Sequence, residues 1–246
     1  MTQSKRDLLI SRSWIQAIIV VGLFGFLILG ILAYRTYTDE PPIPSRVVSN
    51  DGRLLFTGKD ITAGQEVFLK NGLMEYGSIF GHGAYLGPDF TADYLHRAAL
   101  ISVDQYGGPS SDTARQKTIG DFKVNQYDDT SKSLMYSVAQ TEAFERLVRY
   151  YGEFFSTPDT RNGLRPSAIT DPRQIRQLTA FFSWSAWTAS ALRPNLDYSY
   201  TNNWPPEPLA GNGMELNGVF TSLAMARVRV TVSAARNPPG VIVMPL

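Results

Sequence analysis

Apolar residues cluster along this chain in three different rhythms. The first is an unbroken run. From Trp14 to Tyr34 the sequence reads WIQAIIVVGLFGFLILGILAY, about 20 residues without a charge, with Gln16 its only strongly polar member. Trp14, Tyr34 and Tyr37 sit where interfacial aromatics belong. Lys5, Arg6 and Arg12 precede the run and only Arg35 closely follows it, so the positive-inside rule puts the N-terminus in the cytoplasm and the bulk of the chain outside. A cleaved signal peptide is the rival reading. The run is long for that role, and no small-x-small site follows before YRTYTDEPPIP. DEPPIPS then reads as a stiff, polyproline-like spacer.

The second rhythm is alternation. Short apolar runs flank Asn50-Asp51-Gly52 in RVVSNDGRLLFTG, the signature of a hairpin. Alternation returns in FKVNQYDDTSKSLMYS, where Phe122, Val124 and Leu134, Tyr136 predict two strands joined at DDTS.

The third is the helical period. DITAGQEVFLKNG offers Ile61, Val67 and Phe68 on one face, with Gly72 as a stop. TADYLHRAALISV predicts a helix capped by Thr91 with Tyr94, Leu95, Ala98 and Ile101 inward. In VAQTEAFERLVRYYGEFF, Ala143, Leu147, Tyr150, Tyr151 and Phe154 recur at helical spacing. STPDTRNGLRP is a loop. DPRQIRQLTAFFSWSAWTASA opens with an Asp cap and an N1 proline, and carries Ile175, Leu178, Phe182 and Ala186 inward. The predicted fold class is mainly α: one N-terminal transmembrane helix, then an outer domain with minor β hairpins.

Composition narrows the chemistry. Lys plus Arg is 23 against 22 for Asp plus Glu, so nucleic acid is not an expected partner. The absence of cysteine removes disulfides, thiolate metal sites and c-type haem attachment together. His82 and His96 are the only histidines, and two histidines without a carboxylate cluster are read as ordinary polar residues. Glu142 and Glu145 fall with Arg146 and Arg149 on an exposed, salt-linked helix face rather than in an acid–base pair. Trp184 and Trp187 are read as core or membrane-interface residues. No Gly-rich phosphate loop and no Ser/His/Asp pattern is present.

One stretch departs from this plain picture: GQEVFLKNGLMEYGSIFGHGAYLGPDF, from Gly64 to Phe90. It resembles the membrane-anchored cytochrome c subunit of nitric oxide reductase, in which a C-x-x-C-H haem motif precedes G-x-G-A-Y-x-x-P. The resemblance puts Leu73 and Tyr76 at the two cysteine positions and Gly77 at the axial histidine. RPSAITDPRQIRQLTAFFSW similarly puts Arg165 at the axial methionine. All the groups a c-type haem requires are replaced. A haem-sized void would be very costly in a core, so the expected domain is a haem-free cytochrome c fold packed with side chains.

That arrangement is similar to the N-terminal region of quinol-dependent nitric oxide reductase, through about SYTNNWPPEPLAGN. The resemblance implies electrons taken directly from quinol and two NO reduced to nitrous oxide and water. It also implies haem b, haem b3 and a non-haem iron in a downstream transmembrane catalytic module, the expected partner beside the lipid bilayer. It implies that main-chain oxygens of Gly83 and Tyr85 help bind calcium, and that His82, Tyr85 and Trp204 face the catalytic module. The bland reading of GHGAY is a tight glycine turn. The expected layout is a cytoplasmic stretch at 1–13, an anchor at 14–37 and a linker at 38–46. The cytochrome c-like domain follows at 47–197, then a segment at 198–213 leading back to the membrane. Residues 214–246, with Arg227, Arg229 and Arg236 where a second membrane helix belongs, are read as a truncated or shifted tail. The alternative reading is a free-standing, membrane-anchored interaction domain without catalysis.

Overall fold

Ser11 starts the first helix: its hydroxyl accepts from the Trp14 backbone N–H. That helix, α1, runs Arg12–Thr38 with no residue buried. Its 27 residues extend about 40 Å at a rise of 1.5 Å each, more than the hydrocarbon thickness of a bilayer. Length and composition fit a membrane anchor. The computed structural model describes residues 11–157 and 163–213. The reading of residues 214–246 as an aberrant tail falls outside the described residues.

The spacer after α1 is held, not free. The Trp184 indole N–H donates to the Pro42 carbonyl at 3.0 Å. Ser45 donates to the Lys132 carbonyl through both its backbone N–H at 2.7 Å and its hydroxyl at 2.8 Å. The predicted hairpin follows as β1 (Arg46–Ser49) and β2 (Leu54–Thr57). Asp51 accepts from the Ser49 hydroxyl in its turn, and Gly52 adopts φ +83°. Helix α2 (Gly58–Lys70) opens with a reciprocal capping box between Thr57 and Asp60. A 3₁₀ turn (Leu73–Glu75) and the short β3 (Ser78–Ile79) and β4 (His82–Gly83) come next. The remaining elements are α3 (Phe90–Gln105), α4 (Asp112–Lys123), β5 (Tyr127–Asp128), β6 (Ser133–Tyr136), α5 (Val138–Ser156) and α6 (Pro172–Ser190), then a 3₁₀ turn at Pro208–Ala210. The protein is mostly helical with minor strands, as the sequence pattern predicts.

Helix α6 is the axis of the packing. Thirteen of its 19 residues are buried, because α2, α3 and α5 all pack on it. The approach of α2 is close enough to need glycine: a Cβ on Gly64 would overlap the Gln177 carbonyl and lie 2.9 Å from the Phe181 Cβ. The sheet has the order β2-β1-β6-β5, with β1 and β6 parallel and the other pairs antiparallel.

Three local expectations change. Asp89, not Thr91, caps α3, its carboxylate accepting from Ala92 N–H at 2.9 Å. Thr91 is buried as the second residue of the helix, where its hydroxyl accepts from Phe80 N–H at 3.1 Å and sits 3.2 Å from Ser185 Oγ. Phe122 is helical rather than in a strand. It continues an i, i+4 series of buried residues with Ala114 and Thr118 along α4, and this outweighs two positions of alternation. Val124 lies exposed just past that helix, and only Tyr127 and Asp128 pair with β6. Finally, Glu145 does not share a solvated face with Glu142. Glu142 pairs with Arg146 at 2.7 Å, whereas Glu145 takes both terminal nitrogens of Arg176 at 3.1 and 3.2 Å and so ties α5 to α6. The Arg176 hydrogen bonds hold the Glu145 carboxyl below its usual range.

Candidate functional site: a filled centre and its glycine loop

The centre of the helical domain is a knot of rings contributed by α2, α3, α5 and α6. Phe90, the first residue of α3, is fully buried and stacks on Phe182 with centroids 4.6 Å apart and planes 6° from parallel. Phe68, Phe155 and Phe154 lie 5.9, 5.8 and 6.1 Å from it, and Tyr151 and Tyr76 stand 6.4 and 6.5 Å away. Offset and edge contacts of this kind add about 0.5–1.5 kcal/mol each beyond the area they bury. Tyr151 satisfies its buried hydroxyl by donating to Asp93 at 2.9 Å. Burial first, and the Asp93 charge second, push that phenol well above its ordinary pKa.

Against this knot stand the positions singled out in the sequence. Leu73 and Tyr76 are buried, and Tyr76 reaches both Phe90 and Phe154. Gly77 is where no side chain fits: a Cβ there would lie 2.5 Å from the Pro88 carbonyl oxygen and 2.7 Å from the Phe90 ring. Arg165 is distant in sequence and exposed, yet lines the same cleft as Leu73 and Tyr76, one of about 390 Å³.

The glycine loop follows directly. Asp89 organises it, one carboxylate oxygen accepting from the Ser78 hydroxyl and from Gly81 N–H, both at 2.8 Å. The Ala84 N–H donates to the Met74 carbonyl at 2.8 Å, and Tyr85 donates its hydroxyl to the Gly81 carbonyl at 3.2 Å. His82 is exposed, with Nδ1 at 2.8 Å from the Phe80 carbonyl. The loop presents apolar surface outward: Tyr85 is 84% exposed, Leu86 60% and Met74 40%. Trp204 flanks it, its ring 3.3 Å from where a Cβ of Gly81 would be. His82, Tyr85 and Trp204 therefore gather at one loop. His96 belongs elsewhere, 2.6 Å from Glu207. Among the described residues no group of three or more His, Cys, Asp or Glu is arranged to hold a metal.

Sequence reasoning passed over a second arrangement. The segment from Leu192 to Asn212 closes over α3 and α4 through polar contacts. Lys123 Nζ donates to Asn203 Oδ1 at 2.9 Å and Asn212 Oδ1 at 2.6 Å. Asn212 donates in turn to the Ala189 and Pro205 carbonyls at 3.0 and 2.9 Å. Partial burial lowers the Lys123 pKa to about 8. Phe90 was also passed over, although PDF is a legible helix start once Asp89 is taken as its cap.

Fold and centre together define a mainly helical domain behind a long apolar helix, lacking any cysteine for covalent haem attachment. Residues 44–206 match the family of NorB cytochrome c-like domains of nitric oxide reductase, and the chain belongs to that family. Comparison with curated proteins gives no match. The matched span starts at Pro44, beside the docked spacer, and ends in the closing segment.

Proposed function

We propose that this chain forms the anchored, haem-free cytochrome c-like part of a quinol-dependent nitric oxide reductase, where it acts structurally over the catalytic module. The observation that carries the reading is at Gly77. The position aligned with an axial histidine has no room for a side chain, because Phe90 occupies the space beside it. The gathering of Leu73, Tyr76 and Arg165 at one cleft supports the same alignment. An electron entering this domain has no covalently held haem to visit. Reduction of two NO to nitrous oxide and water then belongs to the downstream module, with its haem b, haem b3, non-haem iron and quinol. The part played here is to cap that module on the periplasmic or extracellular face of a cytoplasmic membrane, through Tyr85, Leu86, His82 and Trp204.

Calcium fits the loop as a shared ligand. Main-chain oxygens of Gly83 and Tyr85 are suitable donors, but calcium takes about 6–8 oxygens. Asp89, the carboxylate adjoining the loop, is already engaged by Ser78 and Gly81. The catalytic module would supply the rest. Metal analysis of the intact, active reductase tests this, and an active protein free of calcium removes it.

The mass of the native polypeptide in source membranes, read with an antibody against the outer domain, tests the reading as a whole. A band several times larger than 27.3 kDa, carrying NO reductase activity, is expected. A band at 27.3 kDa in membranes without that activity would favour the free-standing anchored domain.

A further inference from the structure

The spacer between α1 and the domain forms one side of a shallow groove. Ile43 lies there 50% exposed, its Cγ2 3.4 Å from where a Cβ of Gly58 would be. The other side is one face of the first turns of α2, where Lys59, Thr62, Ala63 and Glu66 recur at helical spacing. The groove encloses about 380 Å³ and its surface is mainly apolar. Ile43 and Ala63 supply part of that surface, and the methylene stems of Lys59 and Glu66 extend it while their charged ends stay in water.

The place of this groove in the chain says what meets it. Ile43 follows Thr38, the last residue of α1, by five residue steps, at most about 18 Å of chain. The groove is also held in shape. Pro42 is gripped by the Trp184 indole on one side of Ile43, and on the other the Ser45 carbonyl accepts from Gly58 N–H at 3.1 Å. The charge-free run of α1 ends at Tyr34, so Arg35 and Tyr37 carry the helix into a head-group layer about 5–8 Å thick. A fixed apolar surface this close to the end of a helix that fits a membrane anchor is within reach of lipid.

We propose that the groove between Ile43 and α2 is a lipid contact, taking a phospholipid of the leaflet in which α1 ends. The glycerol and upper acyl chain lie on Ile43 and Ala63. Lys59, a compact cation, faces the phosphate, and Glu66, two turns along the same face, stands where the ammonium of a zwitterionic head group falls. The assignment rests on α1 crossing a bilayer and stands whether or not the chain continues into a reductase.

The sequence contains no cysteine, so single ones can be placed for a fluorescent label. Thr62→Cys marks the edge of the groove, Tyr37→Cys the end of α1, and Thr113→Cys an exposed control on α4. The full chain is placed in phosphatidylcholine vesicles containing phosphatidylcholine with a nitroxide on its head group. Quenching at position 62 is expected to be at least threefold that at position 113, and comparable with that at position 37. Ile43→Asp, an exposed change that puts a charge in the groove, should at least halve the quenching at position 62 and leave position 37 unaffected. Quenching at position 62 no greater than at position 113, or untouched by Ile43→Asp, overturns the proposal. Shielding of position 62 from both the lipid and a water-soluble nitroxide does the same, because it would show a protein surface there. No quenching at position 37 removes the membrane anchor and the lipid contact together.

Discussion

The knot of rings around Phe90 and the closing segment from Leu192 to Asn212 are parts of the same domain, held by opposite means. Around Phe90 almost every contact is apolar and the geometry is set by shape: rings stack, tilt and exclude a Cβ from Gly77. Over α4 the contacts are directional and polar. Lys123, Asn203 and Asn212 form a small network, and His96 reaches Glu207 alongside it. The first region resists loss of volume, and the second resists loss of a donor. Rings can fill a space by shape alone; a segment that closes over two helices needs fixed direction, which rings do not give.

The sharpest break of this contrast is Phe90→Ala. It removes the central ring and should destabilise the domain by about 3–5 kcal/mol, read as a lowered thermal midpoint of the chain in detergent. A loss below about 1 kcal/mol would mean that neighbouring rings collapse into the gap and that the centre is not shape-determined. Gly77→Ala attacks the same region from the other side. One added methyl group against Phe90 and Pro88 should cost about 1–3 kcal/mol, and Phe90→Leu should partly relieve it. Independent, additive effects would show that the two positions do not press on each other.

In the closing segment Asn212→Ala leaves two carbonyls and Lys123 short of partners. A loss of about 1–3 kcal/mol is expected, with faster proteolysis within residues 192–212 before global unfolding. Uniform destabilisation without local cleavage would mean that this segment unfolds only together with the rings. The smallest effect is electrostatic. The folded pKa of Lys123, about 8, is below the ordinary 10.5, so the unfolded state binds more protons between those values. Stability relative to Lys123→Met should therefore rise as pH climbs from about 8 to 10.5 and stay flat below that window. A difference in midpoint independent of pH across the window would show that the ammonium is not desolvated.

The same contrast decides what was legible in the sequence. Helix α5 could be read because Ala143, Leu147 and Tyr151 repeat at its period. Helix α4 could not: in DTARQKTIGDFK only Ala114, Thr118 and Phe122 are buried, too sparse a stripe to outweigh the alternation beyond it. The cap of α3 was misplaced by two residues because Asp89 serves the glycine loop and the helix at once, a double duty no local pattern records. Leu73, Tyr76 and Arg165 were singled out through a family resemblance, and no period or spacing links position 165 to the other two. The Lys123 network joins residues 80 and 89 positions apart through polar side chains that carry no hydrophobic rhythm.

The docked spacer bears on mechanics. A free polyproline strap would let a domain swing above its anchor and sweep a wide arc, as a mobile carrier must. Here the Trp184 indole grips the chain at Pro42, four residue steps beyond the end of α1 at Thr38, which limits the free leash to at most about 15 Å. The apolar helix is thus joined to the domain by a short leash instead of a long tether. A pull along α1 therefore meets α6 at Trp184 after only a few residues of chain.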